Sequence, residues 1–286
     1  MEDDRIRPRP RVLVVAGFDQ SGGAGVLSDI KTLEAHGVYG YAVLTGLTFQ
    51  NERSISRISW YSEEEIFEQI DLCFEAARLR EGDDSVVPTD SSMFLADSSV
   101  VPAGSSGFDW VKIGIGRSIG MLNAIIRRLK YHDPAIKIVL DPVIRASSGK
   151  DFWEAVDTDG FDALARQCWL VTPNWNELSW LYPNENVPDV CRRLSGYCHL
   201  YLKGGHHPQQ PGRDYLWSDG SLHVLEPEVD VAAIYPKHGS GCVLASSLAA
   251  NLALGYPLME AAVRSKRYIE HFLTSNKTLL GWHRQQ

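Results

Sequence analysis

The chain has 286 residues, of which 44% are hydrophobic and 22% charged, the balance of an ordinary globular protein. Its formal net charge of −8 argues against nucleic acid as the main partner, because a phosphate backbone demands a basic protein face. No apolar run reaches the roughly 18 residues of a membrane span, and the first ten residues are charged and contain proline. We therefore expect a cytoplasmic protein with neither a membrane nor a nucleic-acid partner.

The five cysteines are odd in number, scattered along the chain and free of any CxxC spacing. This pattern excludes a disulfide framework and a zinc cluster as leading interpretations. Four of them are expected to be buried apolar side chains: Cys73, Cys168, Cys191 and Cys198. Cys242 stands in a motif of its own, described below.

The first part of the chain predicts a strand, a glycine-rich turn, a helix and a second strand. Residues 11–17 form a continuous apolar run, which is typical of a strand buried on both faces. The glycines of 21–25 follow, and then an amphipathic stretch to residue 36. The next predicted elements are a strand over 41–47, an exposed or edge strand over 54–60 and a helix over 63–79.

Further along, apolar strands alternate with helical patterns, which predicts right-handed crossovers and a mainly parallel sheet covered by helices. These strands cover 110–113, 137–140, 169–172 and 199–202. A hairpin is predicted over 214–225, because the pair Asp219-Gly220 favours a tight turn. Two helices, 241–254 and 257–275, follow. We interpret residues 1–286 as a single α/β domain.

The segment 81–107 interrupts this order. It is rich in serine and aspartate, has no strand or helix period and contains two similar stretches, DDSVVPTDSS and DSSVVPAGSS. Such a composition favours a solvated surface insertion. A substrate lid or an oligomer contact is the alternative.

The sharpest local motif is HGSGC at 238–242, which precedes a helix of small residues. Glycines let backbone N–H groups converge, and the helix N-terminus adds partial positive charge, so the motif suits a phosphate or a phosphoryl group in transfer. A thiol in the first helical turn is expected to have a pKa below its free value of about 8.5. The alternative is a plain glycine-rich turn before a packed helix.

The glycines at 22–25 give a weaker signal. No Gly-Lys-Ser/Thr follows them, so they are not a P-loop, and they lack the Gly-x-Gly-x-x-Gly of a dinucleotide site. A tight turn between strand and helix is the simpler interpretation.

Polar residues follow three predicted strands at their carboxyl ends, the edge where open parallel sheets bind ligands. Asp141 is a candidate for binding metal or handling a proton. Asn174 and Glu177 lie three residues apart, a spacing that also fits a helix capping box. Lys203 precedes two glycines and suits a phosphate, although Gly-Gly alone often marks only a turn.

Together these motifs resemble the hydroxymethylpyrimidine/phosphomethylpyrimidine kinases. The resemblance begins with AGFDQSGGAGVLSDIKTLEAHGVYGYAVLTGLTFQN at 16–51. It continues in the family's order with VKIG at 111–114, DPV at 141–143, TPNWNEL at 172–178, LKGGH at 202–206 and HGSGC at 238–242. It covers nearly the whole chain except the 81–107 segment and both tails. The fold that it implies is ribokinase-like, a mostly parallel sheet flanked by helices on both faces, with the active site along the carboxyl edges of the strands.

The resemblance also implies a role for each matching residue. The residues that would form the pyrimidine pocket are Gly17, Asp29, Thr48 and Gln50, with Ile115 and Val143 as its apolar walls. The residues that would form the anion hole are Gly239, Ser240 and Gly241, with Cys242 as the catalytic group. ATP would be bound by Lys203, Gly205, Asn174 and His238. Asp141 and Glu177, together with Asn174, would organise Mg²⁺ and its waters.

The chain departs from the family pattern at four places. Ser240 stands where threonine is usual, and both residues carry a hydroxyl. Residues 147–150, SSGK, stand where the family has a run of lysine, serine, glycine and an acidic residue, so the position of a charge differs. Residues 235–237, YPK, replace the usual Asn-Thr before the histidine, and Ile115-Gly116 replaces a Met-Leu-type pair in the pocket wall. The last two departures affect nucleotide and substrate specificity.

The implied reaction is ATP-dependent phosphorylation of 4-amino-5-hydroxymethyl-2-methylpyrimidine and then of its monophosphate, in thiamine biosynthesis. Two alternatives stay open. A pyridoxal or pyridoxine kinase shares the fold and phosphorylates a similar hydroxymethyl group, although Gln50 and Cys242 favour the pyrimidine. A catalytically idle relative would bind a pyrimidine as a sensor or structural partner. We expect a homo-oligomer that binds these small molecules.

Overall fold

The computed structural model of the chain describes residues 9–78, 107–108, 110–145, 151–153 and 155–285. The predicted insertion at 81–107, apart from Gly107, and the departure at 147–150 therefore lie outside the described residues.

The described strands form one nine-stranded sheet in the order β3-β2-β1-β4-β5-β6-β7-β8-β9. Their bounds are β1 Arg11–Asp19, β2 Tyr39–Gln50, β3 Ile55–Trp60, β4 Trp110–Ile113, β5 Lys137–Leu140, β6 Leu170–Val171, β7 His199–Leu202, β8 Asp214–Ser218 and β9 Ser221–Leu225. Strands β2, β1, β4, β5, β6 and β7 pair in parallel, and β3, β8 and β9 join antiparallel. The predicted mostly parallel sheet, with residues 54–60 at its edge, is confirmed.

The helices cover both faces of this sheet. Their bounds are α1 Gly25–Ala35, α2 Glu63–Arg78, α3 Ile119–His132, α4 Thr158–Ala165, α5 Trp175–Leu181, α6 Val187–Leu194, α7 Ser240–Ala253 and α8 Leu258–Thr274. Short 3₁₀ turns occur at Gly204–His206 and Val231–Ala233. None of these described helices combines the length and the hydropathy that crossing a membrane requires.

Two hydrophobic cores lie on opposite faces of the sheet, because successive side chains of a strand point to opposite sides. Leu13 and Val15 of β1 pack in one core with helices α2 to α6. Val12 and Val14 pack in the other core with α1, α7 and α8. In this second core, side chains of α7 pack against the central strands of the sheet.

The predicted hairpin is confirmed, with β8 and β9 paired around Asp219 and Gly220. Both turn residues have positive φ, 51° and 73°, which is the backbone that an Asp-Gly pair tolerates in a two-residue turn. All five cysteines are free thiols. Cys168 and Cys191 are buried as expected, whereas Cys73 and Cys198 are only partly buried, so the expectation is wrong for these two.

Candidate active site

The carboxyl ends of the parallel strands open into a cavity of about 730 Å³. Chain segments that follow β1, β4, β5, β6 and β7 all reach its wall, since parallel strands end at the same edge of the sheet. The start of α7 closes one side of it. The cavity therefore lies where the motif positions predict a ligand.

The HGSGC motif forms the loop before α7 and the first turn of that helix. His238, Gly239, Ser240, Gly241 and Cys242 all line the cavity. Gly239 has φ +75°, a conformation that favours glycine, and no side chain caps the helix. The unpaired N–H groups of the first turn are therefore available to an anion in the cavity. We call residues 239–241 the anion loop.

Lys203 reaches the same turn from the end of β7. A Cβ atom added at Gly241 would lie 3.1 Å from Lys203 Nζ, so the ammonium sits against the glycine backbone. Lys203 Nζ also donates to Asp141 Oδ1 over 2.7 Å and lies 3.8 Å from Glu177 Oε2. The predicted lysine and both predicted carboxylates thus converge at one point.

The spacing of Asn174 and Glu177 produces the capping box that the sequence allowed. Asn174 N donates to Glu177 Oε2 over 2.6 Å, and Glu177 N donates to Asn174 Oδ1 over 2.9 Å. Both residues also line the cavity. Burial raises the pKa of Glu177 to about 7, because the ionised carboxylate would lose its hydration there. The charge of Lys203 acts to lower this pKa, and the charge of Asp141 acts to raise it. Asn174 and Glu177 therefore cap α5 and line the cavity at the same time.

The two carboxylates fit a divalent cation. Asp141 Oδ2 is buried without a hydrogen-bond partner in the described part of the chain, which leaves one carboxylate oxygen free to bind a cation or its water. Lys203 and Lys112 lower the pKa of Asp141 against the opposing effect of burial, so the group stays ionised. Within the described ranges, no three His, Cys, Asp or Glu side chains are grouped as metal ligands. Mg²⁺ commonly takes one or two carboxylates and completes its shell with phosphates and water.

The expected low pKa of Cys242 is wrong. Burial raises the pKa of this thiol to about 12, because a thiolate would lose its hydration there. The positive charges of Lys112 and Lys203 act in the opposite direction, but the carboxylates of Asp141 and Asp29 offset them. Burial is thus the largest effect on the pKa of this thiol.

The residues expected at the pyrimidine end line the cavity, with one exception. Those that do are Gly17, Thr48, Gln50, Ile115 and Val143. Thr48 Oγ1 donates to Phe18 O over 2.8 Å, so its hydroxyl is already engaged. The Gln50 amide makes no hydrogen bond to the described part of the chain and is free to read a ligand.

Asp29 is the exception and corrects the expectation. It does not line the cavity but lies fully buried behind its wall, where Oδ2 accepts from Lys112 Nζ over 2.8 Å. Its other oxygen accepts from Ser246 Oγ of α7 over 2.7 Å. The physical reason is that Lys112, in the middle of β4, is wholly buried and needs a counter-charge. Lys112 does line the cavity, and the sequence interpretation missed it.

His238 contacts a second residue that the sequence interpretation missed. Its Nε2 lies 2.8 Å from Asp19 Oδ2 at the end of β1, with both side chains buried. The backbone N–H of His238 donates to Leu279 O over 2.9 Å. Lys237 Nζ donates to the carbonyls of Asn276 and Thr278. The unusual 235–237 segment thus holds the C-terminal residues against the anion loop.

Comparison with known proteins identifies the family of the chain. A family model described as phosphomethylpyrimidine kinase matches residues 19–81 and 80–285. The thiamine biosynthesis bifunctional protein ThiED of Geobacter sulfurreducens is 32% identical over 274 residues, which cover 92% of this chain and 49% of that protein. The hydroxymethylpyrimidine/phosphomethylpyrimidine kinase of Rhizobium meliloti is 29% identical over 269 residues, 90% of this chain and 88% of the relative.

Among solved structures, the phosphomethylpyrimidine kinase of Clostridium difficile 630 superposes with a TM-score of 0.67 at 27% identity. That similarity covers 91% of this chain and 98% of the other. The chain spans about half the length of the first curated relatives that it matches, which are bifunctional enzymes. The family match over most of the chain, together with the fold, shows that this protein belongs to the phosphomethylpyrimidine kinase family.

Proposed function

We propose that the chain transfers the γ-phosphoryl group of ATP to the hydroxymethyl oxygen of 4-amino-5-hydroxymethyl-2-methylpyrimidine, and in a second turnover to the resulting monophosphate. One observation carries the proposal. The anion loop and the free amide of Gln50 line the same cavity, so one cavity offers a site for a phosphoryl group and a site for a heteroaromatic ring. Membership of a kinase family implies a nucleotide donor and a divalent cation.

The pyrimidine is assigned to the end of the cavity formed by Gly17, Gln50, Ile115 and Val143. A primary amide offers one acceptor and two donors, which match a ring nitrogen beside an exocyclic amino group. A Cβ added at Gly17 would lie 2.9 Å from Ile115 Cγ2, so the glycine leaves the wall flat at this point. Thr48 shapes the wall through its bond to Phe18 rather than by reading the ring.

The transferred phosphoryl group is assigned to the anion loop and Lys203. First-turn N–H groups and an ammonium group stabilise the charge on the equatorial oxygens. Asn174 and Gly205 extend this surface along the cavity wall.

Asp141 and Glu177 would hold Mg²⁺ with its waters, with Asn174 fixing Glu177 through the capping box. The metal would neutralise charge on the phosphates as the phosphoryl group is transferred. Lys203, which is bonded to Asp141 and lies against Gly241, would contact the phosphates at the anion loop. These residues hold charge in place, which is most of what phosphoryl transfer requires of a protein.

Cys242 is proposed as the group in contact with the attacking hydroxyl. With a pKa of about 12 the thiol keeps its proton, so before it could accept the proton of the hydroxyl it would have to release its own to solvent. The positive charges of Lys112 and Lys203 favour deprotonation, because they lower the pKa of the thiol. The loose transition state of phosphoryl transfer also lessens the need for an early proton acceptor.

The test is turnover by the purified chain with ATP, Mg²⁺ and the pyrimidine alcohol, with mono- and diphosphate products identified by mass spectrometry. Pyridoxal and pyridoxine serve as competing substrates. Gln50→Leu should lower kcat/KM for the pyrimidine by about 10- to 100-fold, since an unpaired polar edge costs about 1–3 kcal/mol. Exposed Gln209→Leu is the matched control. Faster turnover of pyridoxal, or ligand binding without ATP turnover, would overturn the proposal.

A further inference from the structure

Two glycine loops from opposite ends of the chain meet beside the cavity. A Cβ added at Gly239 would lie 2.0 Å from Gly23 O, and one added at Gly23 would lie 2.7 Å from the His238 ring. Neither position can carry a side chain without separating the loops. The glycines at 22–25 thus allow the N-terminal loop to lie directly on the anion loop.

Asp19 organises this contact from the N-terminal side. Its carboxylate accepts from Ser21 N and Ser21 Oγ, each over 2.9 Å, and from Ala24 N over 3.0 Å. It also accepts from His238 Nε2 over 2.8 Å. Burial would raise the pKa of Asp19, but the bonds from His238 and Ser21 lower it further, so the group is an ionised acceptor.

The pair joins the two halves of the reaction site. Asp19 follows Gly17 and Phe18 on β1, which form part of the wall assigned to the pyrimidine. His238 immediately precedes Gly239 of the anion loop. With Asp19 only 1% exposed and His238 only 7% exposed, the bond is shielded from water and holds its geometry.

We propose that Asp19 and His238 are positioning residues, which hold the anion loop at a fixed distance from β1 so that alcohol and phosphoryl group meet in line. This inference rests on the proposed function. In-line attack requires reacting atoms about 3–3.5 Å apart, and a misplacement of about 1 Å costs on the order of 10²-fold in rate. A single buried ionic hydrogen bond across the two loops meets that requirement.

Kinetics of matched variants test the inference. His238→Ala should lower kcat by about 10- to 100-fold and change KM for the pyrimidine by less than about threefold, because binding at Gln50 is untouched. His238→Gln, whose amide nitrogen can reach Asp19, should recover most of kcat. The double variant Asp19→Asn/His238→Ala should lose little more than His238→Ala alone, since both changes break one bond.

His36→Ala is the control. His36 is also buried, and it bonds Thr32 O over 2.8 Å and Ser247 Oγ over 3.0 Å, farther along α7. It should lower stability and leave kcat near that of the unaltered chain. A loss of kcat equal to that of His238→Ala would make the effect a general one of helix packing and overturn the inference.

Hydrogen exchange of the ligand-free chain gives a readout that needs no kinase activity. Peptides covering 239–246 should exchange faster in His238→Ala and in Asp19→Asn, which preserves side-chain volume, but not in His36→Ala. If the unaltered chain lacked pyrimidine kinase activity, the proposed function would fail while the exchange result still decided whether the pair holds the loop. Unchanged exchange, a change in KM alone, or a His238→Gln as slow as His238→Ala would each refute positioning.

Discussion

Lys112 Nζ lies 2.8 Å from Asp29 Oδ2, and both side chains are wholly buried between β4 and α1. Removal of either charge leaves the other uncompensated in a medium that solvates it poorly. The pair therefore links β4 to α1, the helix that follows the glycines at 22–25.

Lys112→Met should lower the free energy of unfolding by about 3–5 kcal/mol, because it leaves the Asp29 carboxylate buried without a counter-charge. Lys112→Met/Asp29→Asn should recover a large part of this loss, since the amide keeps the shape of the carboxylate and its bond from Ser246. Urea denaturation of the three proteins measures both changes. Equal stabilities of the single and double variants would contradict the assignment.

Cys242 should behave as a protonated thiol in the free chain. With its pKa near 12, alkylation by iodoacetamide should be slow at pH 7 and continue to rise to pH 10 without a plateau. Quantifying the alkylated peptide separates Cys242 from the other four cysteines, and Cys242→Ala gives the background. Cys242→Ala should also lose on the order of 10²-fold or more in kcat. A plateau in alkylation near pH 7 would restore the low pKa that the motif alone suggests.

His283 makes stability depend on pH. Its Nδ1 lies 3.1 Å from Tyr268 OH, and burial, with Lys31 and His36 nearby, lowers its pKa to about 4. The unfolded chain takes up this proton near pH 6.5, whereas the folded chain does so only near pH 4. The free energy of unfolding should therefore fall as pH drops from about 6.5 to 4. His283→Gln, compared by urea denaturation across this window, should show a shallower slope, and an identical slope would refute the assignment.

The two ends of the chain segment between α2 and β4 touch. A Cβ added at Gly107 would lie 2.6 Å from Ala77 O, so a short connection can replace what lies between. Exchange of residues 80–106 for a Gly-Ser link should leave pyrimidine turnover within a few-fold, because closing a shorter loop costs less entropy. Turnover and thermal unfolding measure the result. Lost turnover with an unchanged Tm would identify the segment as a lid or an assembly element.

The sheet was predictable because most of its parallel strands are continuous apolar runs in the sequence. Three apolar runs, 110–113, 137–140 and 199–202, give the strand bounds directly. The run at 169–172 is shorter in the structure, at Leu170–Val171. Trp169 N and Thr172 N still donate to β5 carbonyls, so the hydrogen bonds extend beyond the strand. Local patterns define elements well and their ends less well.

The site was predictable where the motif itself lies at a strand end, as with Asp141 and Lys203. Its electrostatics were not. The pKa of Cys242 depends on the burial of its thiol and on the charges of residues distant in sequence, which a motif does not encode. Asp29 likewise turns to Lys112, 83 positions away. A lysine within the apolar run WVKIG was the signal that could have revealed this pair.

His238 N donates to Leu279 O, and Lys237 donates to the carbonyls of Asn276 and Thr278. These bonds can form only late in the synthesis of the chain. The anion loop obtains its backbone support from residues that leave the ribosome about forty positions after it. A nascent chain that already contains the sheet and α7 still lacks that support. The anion loop therefore gains this backbone support only after residue 279 has been synthesised, when all the described strands and α7 are already part of the nascent chain.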